Sequence, residues 1–430
     1  MKFISTRGNS SATTLSAAIV AGLAPDGGLY VPAMLPHISP DDFSGCNALA
    51  KVASRLLAPF FEGDALAREL DAICAETFTF DAPLKALATP RDFILELFHG
   101  PTAAFKDFGA RFLAACMRRL PRESRKDLTI LVATSGDTGA AVGAAFVGVP
   151  GFRVVILYPD GRVSPRQAHQ LGCFGGNVAA LRVAGSFDDC QRLVKQAFAD
   201  AKLRAQIPLS SANSISLGRL LPQTAYFAHA ALAHRHTQGT LLNFVVPTGN
   251  LGNAFACMLA RACGLPIGRI ALATNANLTL HDFFSGADYA PRASVATLAN
   301  AMDVGAPSNF ERLRWLYPDD VKLRREFGVD AIGDEAIAAT IRDRHARHAE
   351  VFCPHTATAI RTLEALRQEG ADGDWAVAAT ALAAKFDGIV EALIGRPVAV
   401  PTALAALLAR PSTAAPLANA YAALRQRLLR

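Results

Sequence analysis

The chain contains no C-x-x-C pair; its eight cysteines, at 46, 74, 116, 173, 190, 257, 263 and 353, stand singly. Such spacing supplies neither a disulfide framework nor a zinc site, so no metal is expected and the thiols read as reduced, as in a cytoplasmic protein. A basic stripe is missing too. The formal charge is only +6 over 430 residues, and the densest local pairs are Arg118–Arg119 and Arg324–Arg325. That distribution excludes an electrostatic footprint for nucleic acid. Residues 241–260 carry no charge, but Pro247, Gly249, Asn250, Gly252 and Asn253 would break a membrane-spanning helix. At the N-terminus Lys2 and Arg7 precede an apolar stretch at 17–23. Ser10, Ser11, Thr13, Thr14 and Ser16 dilute it and no small-residue cleavage site follows, so the segment is expected to belong to the fold. No internal repeat is present.

What is present is apolar and alternating. With 51% hydrophobic and 19% charged residues the composition is that of a globular protein, and 430 residues exceed one compact core, so several domains are expected. The first ninety or so residues form a unit of their own. It has a short helix at 16–22, a turn and strand at 26–32, and amphipathic helices near 46–58 and 64–77. Strands are then expected at 93–98, 128–133, 154–158, 241–246 and 270–274. Helices are expected at 105–120, 139–147 and 188–200, and another after the glycine loop near 250. Strands alternating with helices, most of them short apolar runs, predict α/β architecture with parallel sheets covered on both faces. The C-terminal part is alanine-rich and helical, with a proline-marked break near 410–416.

Loops at three strand-to-helix junctions can carry chemistry, because open α/β sheets bind ligands there. In Gly100-Pro101-Thr102-Ala103-Ala104-Phe105-Lys106-Asp107-Phe108-Gly109, the lysine begins a helix among apolar neighbours. The ordinary alternative is a solvated surface lysine. With a reference pKa of ~10.4, only about one lysine in a few thousand is neutral at pH 7. Desolvation and the helix dipole both push this one toward the neutral form that attacks carbonyl groups. Thr134-Ser135-Gly136-Asp137-Thr138-Gly139 and Pro247-Thr248-Gly249-Asn250-Leu251-Gly252-Asn253 read either as plain turns or as anion cradles of backbone N–H groups. Neither is a Walker loop or a G-x-G-x-x-G fingerprint. One lysine with two cradles suits a phosphorylated carbonyl cofactor and an anionic substrate.

These segments closely resemble the threonine synthase family over nearly the whole length. The match runs through Ser5-Thr6-Arg7-Gly8 and Asp26-Gly27-Gly28-Leu29-Tyr30-Val31-Pro32. It continues through the lysine segment from Leu97 to Asp107, both cradles, Ser211-Ala212-Asn213-Ser214-Ile215 with Arg219, and the stretch from Asn300 to Asn309. The resemblance implies a fold-type-II pyridoxal-phosphate enzyme, tryptophan synthase β-like, with two doubly wound sheet domains plus an N-terminal α+β domain. The implied division is 1–92 for the N-terminal domain, 93–127 with 220–390 for the large cofactor domain, 128–219 for the small domain, and 391–430 for a C-terminal helical segment. It implies conversion of O-phospho-L-homoserine and water to L-threonine and phosphate, by a monomer or homodimer.

By the same resemblance Lys106 holds the aldehyde of pyridoxal 5'-phosphate. Gly249, Asn250, Leu251, Gly252 and Asn253 hold its phosphate, and the Thr380 hydroxyl meets its ring nitrogen. Ser135, Gly136, Asp137 and Thr138 face the anionic ends of the substrate, and Asn213, Ser214 and Arg219 grip its phosphate. The sequence departs from the family near the end. Where the family has Thr-Ala-His-Pro-Ala-Lys-Phe, this chain has Thr380-Ala381-Leu382-Ala383-Ala384-Lys385-Phe386; Leu251 replaces a common phenylalanine and Ser210 a common asparagine. The expectation is that the changes at Leu382 and Ala383 alter the wall near the cofactor ring. A phospho-lyase releasing 2-oxobutyrate, a dehydratase or acetylserine-type synthase without need of Arg219, and a catalytically silent ligand-binding paralogue remain as alternatives.

Overall fold

The computed structural model describes residues 1–121 and 126–430, so part of the expected 93–127 segment lies outside the described residues. In chain order the strands are β1 (Phe3–Ser5), β2 (Tyr30–Pro32), β3 (Leu84–Ala86), β4 (Asp92–Glu96) and β5 (Leu128–Ala133). Next come β6 (Phe152–Pro159), β7 (Val178–Val183), β8 (Leu209–Ser211) and β9 (Leu242–Pro247). The remaining strands are β10 (Ile267–Thr274), β11 (Gly328–Ala331), β12 (Asp374–Ala379) and β13 (Ala415–Leu417).

β1 and β2 pair antiparallel in the N-terminal unit. A six-stranded sheet runs β11-β10-β9-β12-β4-β3, and a five-stranded sheet runs β13-β7-β6-β5-β8. Every neighbouring pair in the two larger sheets is parallel except β3 with β4. The reason is in the residues: β9 (LNFVVP) and β12 (DWAVAA) are buried at every position, so helices must cover both faces, and parallel crossovers deliver them there.

Two expectations are corrected. The segment expected as one helix near 64–77 is a 3-10 turn, Ala67–Glu69, followed by the helix Leu70–Thr77. The C-terminal segment is not purely helical, because the proline-marked stretch contains β13, which pairs in parallel with β7 through Ala415, Pro416 and Leu417. Pro416 can stand there because β13 is an edge strand, where one missing N–H leaves no ladder broken.

β4, β12 and β9 lie side by side and point the same way, so their C-terminal ends form one rim. The chain after β4 is tied to the chain after β12. Phe105 N donates to the Thr380 carbonyl at 2.8 Å, and Leu382 N donates to the Ala103 carbonyl at 3.1 Å. Arg312 fastens the N-terminal unit to this rim. Its buried guanidinium donates to the carbonyls of Tyr30 and Ile215 and, at 2.7 Å, to Asn309 Oδ1; Asn309 in turn donates to the Asn250 carbonyl at 2.8 Å.

Candidate active site

A cavity opens on the rim, lined by the loops that follow β4, β9 and β12. From β4 comes Lys106, the first residue of the helix Lys106–Arg119. Ala103, just before it, holds φ +56, a left-handed conformation uncommon in a residue with a Cβ. Thr102 fixes the turn: its N and Oγ1 donate to the two oxygens of Asp107 at 2.8 and 2.7 Å. Lys106 Nζ lies 5.3 Å from the Phe105 ring centroid. Burial, and then the Arg219 charge, lower the Lys106 amine to about 8, and Asp137 opposes that shift.

After β9 the chain turns through Leu251, at φ +60, into the helix Gly252–Ala262. The N–H groups of Gly252, Asn253 and Ala254 stand in its first turn, where no preceding helical carbonyl reaches them. Among the described residues no protein acceptor meets them. The side chains nearby hold the loop in shape. Thr248 Oγ1 donates to Asn253 Oδ1 at 2.9 Å, and Asn253 Nδ2 donates to the Pro247 carbonyl at 2.9 Å. Asn250 Nδ2 donates to Ser214 Oγ at 2.6 Å and its Oδ1 accepts from Ser308 N at 2.5 Å. Gly252 and Asn253 line the cavity, so these donors stand beside it. Unpartnered N–H groups at a positive helix end beside a cavity suit a phosphate.

Arg219 is buried and reaches the same cavity. Its Nη1 donates to the Ala212 carbonyl at 2.7 Å, while its Nε has no partner. Among the described residues no carboxylate forms an ion pair with it, and burial lowers it to about 10, still a cation at neutral pH. An unpaired, desolvated guanidinium beside a cavity is a strong anion site.

Of the expected residues, Lys106, Asp137, Ser214, Arg219, Gly249, Asn250, Gly252, Asn253 and Thr380 line this cavity together. Asn213 lines an adjoining cleft with Arg7, Ser211 and Ser308. Ser135, Gly136 and Thr138 are outside the lining, and Leu251 turns its side chain into the core, 1% exposed, so only its backbone serves the loop. The Asp137 side chain is held in an ion pair. Its Oδ1 lies 2.7 Å from Lys385 Nζ, and although burial opposes ionisation, the Lys385 charge holds it at about 2. A fixed carboxylate repels an anion. Leu382 and Ala383 also fall outside the lining: Leu382 packs with Ala103, Ala384 and Leu404, and Ala383 lies in the core cluster that holds Ala104, Ala381 and Phe386.

Sequence reasoning missed Gln223, Met302, His355 and Lys385. His355 stands in the first turn of the helix Pro354–Gln368 and accepts from Ala301 N at its Nε2, 3.1 Å away. Burial holds it down to about 4; the Asp137 charge opposes that shift, and the Lys106 and Lys385 charges add to it.

A lysine amine near neutrality, facing a helix-end phosphate cradle across the rim of a parallel sheet, defines a fold-type-II pyridoxal-phosphate enzyme. The family model described as "Pyridoxal-phosphate dependent enzyme" matches residues 93–381, and the one described as "Threonine synthase N terminus" matches residues 2–78. The chain belongs to the threonine synthase family. It is 39% identical over 437 residues to the threonine synthase of Serratia marcescens, covering 100% of this chain and 99% of that protein. The crystal structure of threonine synthase from Escherichia coli superposes with a TM-score of 0.92 at 37% identity, covering 100% of this chain and 99% of that one. The pyridoxal-phosphate-bound threonine synthase from Brucella melitensis superposes with a TM-score of 0.89 at 34% identity over 100% and 99% of the two chains.

Proposed function

We infer that the protein converts O-phospho-L-homoserine and water to L-threonine and phosphate with pyridoxal 5'-phosphate. The observation that carries this reading is one cavity holding the lowered Lys106 amine, the N–H cradle and the unpaired Arg219. The cradle takes the cofactor phosphate, Lys106 its aldehyde carbon and Thr380 its ring nitrogen. When bound, the cofactor supplies an electron sink that makes carbon–hydrogen bonds near the substrate amine acidic.

Arg219, with Ser214 and the neighbouring Asn213, receives the substrate phosphate and stabilises it as it leaves. Lys106, once its amine is free, takes a proton from one carbon and returns it at another. An amine titrating near 8 can do both at neutral pH. Thr380 offers a neutral hydroxyl, which does not fix a proton on the ring nitrogen. The N–H groups of Ser135, Asp137 and Thr138 are proposed to meet the substrate carboxylate, with Gly136 shaping the turn through its N–H bond to Thr134 Oγ1 at 3.0 Å.

A monomer or homodimer acting in the cytoplasm on a free amino acid, without nucleic acid, completes the proposal. Among the described residues no helix is long and apolar enough to cross a membrane. The test is phosphate release from O-phospho-L-homoserine by the parent and by Lys106→Ala. The parent should release phosphate and show the visible absorbance of bound cofactor. Lys106→Ala should lose both while keeping its melting temperature, and turnover by Lys106→Ala at a tenth of the parent rate would overturn the assignment.

A further inference from the structure

Behind Lys106 stands a second buried lysine that the chemistry above does not use. Lys385 is 0% exposed, and its Nζ lies 2.7 Å from Asp137 Oδ1 and donates to the Thr102 carbonyl at 2.8 Å. Its backbone is pinned from the other sheet: Ser164 Oγ donates to the Lys385 carbonyl at 2.7 Å and Arg166 Nη1 to the Ala384 carbonyl at 2.6 Å. Asp137 Oδ1 also accepts from Gln167 Nε2 at 3.0 Å. The other carboxylate oxygen, Oδ2, meets no protein donor among the described residues, and Asp137 lines the same cavity as Lys106.

A buried carboxylate cannot stay unpaired, and two lysine ammonium groups stand within its field. If Lys106 were its partner, the ion pair would hold Lys106 protonated and remove the free amine that attacks a carbonyl. We propose that Lys385 is a positioning residue whose ion pair with Asp137 keeps that carboxylate from capturing Lys106. The inference rests on Lys106 being the cofactor lysine.

The surrounding charges agree. Lys106 is faced by Arg219, Asp137 and Lys385, and His355 lies near enough to feel all but Arg219. Lys385 is also within reach of Asp107, which Arg111 faces from its other side. The cations around Lys106 therefore outnumber the carboxylate that Lys385 already occupies. The pair also spans the two large sheets, because Asp137 opens the helix after β5 and Lys385 lies in the turn after β12. Bringing those halves together supplies the free amine.

The test is the pH midpoint of Lys106 acetylation by trace acetic anhydride in the full-length, cofactor-stripped protein, read by mass spectrometry on the Lys106 peptide. Melting temperature is measured alongside. Lys385→Met should raise the midpoint by at least about one pH unit, the usual effect of a new opposite charge in contact. Lys385→Arg, which keeps the charge, should stay near the parent. Adding Asp137→Asn to Lys385→Met should return the midpoint toward the parent, and Asp137→Asn alone should lower it.

A purely structural Lys385 would change melting temperature and leave the midpoint alone. An unshifted midpoint in folded Lys385→Met, or a shift that Asp137→Asn does not reverse, overturns the proposal. If Lys385→Met does not fold, Asp137→Asn alone decides, and an unshifted midpoint there overturns it. Failure of the cofactor assignment is distinguishable. Borohydride reduction would then trap pyridoxal phosphate on a different lysine, whereas the labelling midpoint reads Lys106 itself.

Discussion

Gly249 sets its Cα directly against the Met302 backbone: a Cβ there would lie 2.7 Å from the Met302 Cα and 2.7 Å from its carbonyl oxygen. The cradle loop and the 300–302 turn therefore touch main chain to main chain. Gly249→Ala should force them apart at a cost of about 1–3 kcal/mol. Gly252 differs, since a Cβ there meets only ordinary contacts, 3.5 Å to Ser214 Cβ and 3.7 Å to Asn309 Nδ2. Gly252→Val should fold with a melting temperature near the parent and yet hold pyridoxal phosphate more weakly, because its side chain fills the space before the N–H groups. Thermal melts and cofactor titration of both variants separate the effects. Unchanged cofactor affinity in Gly252→Val would move the phosphate elsewhere, with the 135–139 turn as the next place to look.

Arg219→Ala should leave the bound-cofactor spectrum unchanged and lower kcat/KM. Loss of a charge-assisted hydrogen bond costs ~1.5–3 kcal/mol, or roughly ten- to more than a hundredfold. Inorganic phosphate should inhibit the parent competitively and inhibit the variant much less. Equal inhibition of both proteins would rule out the phosphate role. With no carboxylate paired to Arg219 among the described residues, mutation breaks no ion pair, so the kinetic loss should exceed any loss of stability.

His355 links stability to pH. Its folded value, about 4, lies below the ordinary 6.5 because burial disfavours the charged ring. The unfolded chain takes up this proton first as pH falls, so the contribution is complete above pH 6.5 and is lost toward pH 4. Asp107 has the opposite sign. Burial raises it from 3.8 to about 6, so its protonation favours the folded state as pH falls through that window. The parent curve contains both effects; the difference from His355→Asn isolates the histidine. Urea unfolding at pH 6.5 and pH 4 should show the parent losing about 2–3 kcal/mol more than the variant over the interval. Identical losses would show that the ring does not titrate this way.

Much of this site was legible because its parts are local. A glycine loop after an apolar strand, or a lysine opening an apolar helix, announces itself within ten residues, and Lys106, Gly249, Gly252 and Arg219 do meet in one cavity. What sequence reading lacked was depth. His355 and Lys385 look like any polar residues in helical, alanine-rich surroundings, and only tertiary packing buries them beside Lys106. Lys385 did stand inside a quoted family motif, which was the one signal available. The ion pair of Asp137 was not legible because its partner lies 248 residues further on. The fold shows the same divide. β9 and β10 were recognisable as apolar runs, whereas the helix Gln223–Gln238 mixes alanine, histidine and arginine without a clear apolar stripe and was not assigned.

The most direct test of the central claim is product analysis with O-phospho-L-homoserine and the cofactor-loaded protein. Phosphate, L-threonine and 2-oxobutyrate are quantified from the same reaction. Addition of water before release of the product predicts L-threonine and phosphate in equal amounts, with 2-oxobutyrate a minor product. Phosphate matched by 2-oxobutyrate, with little L-threonine, would instead make the protein a phospho-lyase, and no phosphate release at all would contradict the account of the site.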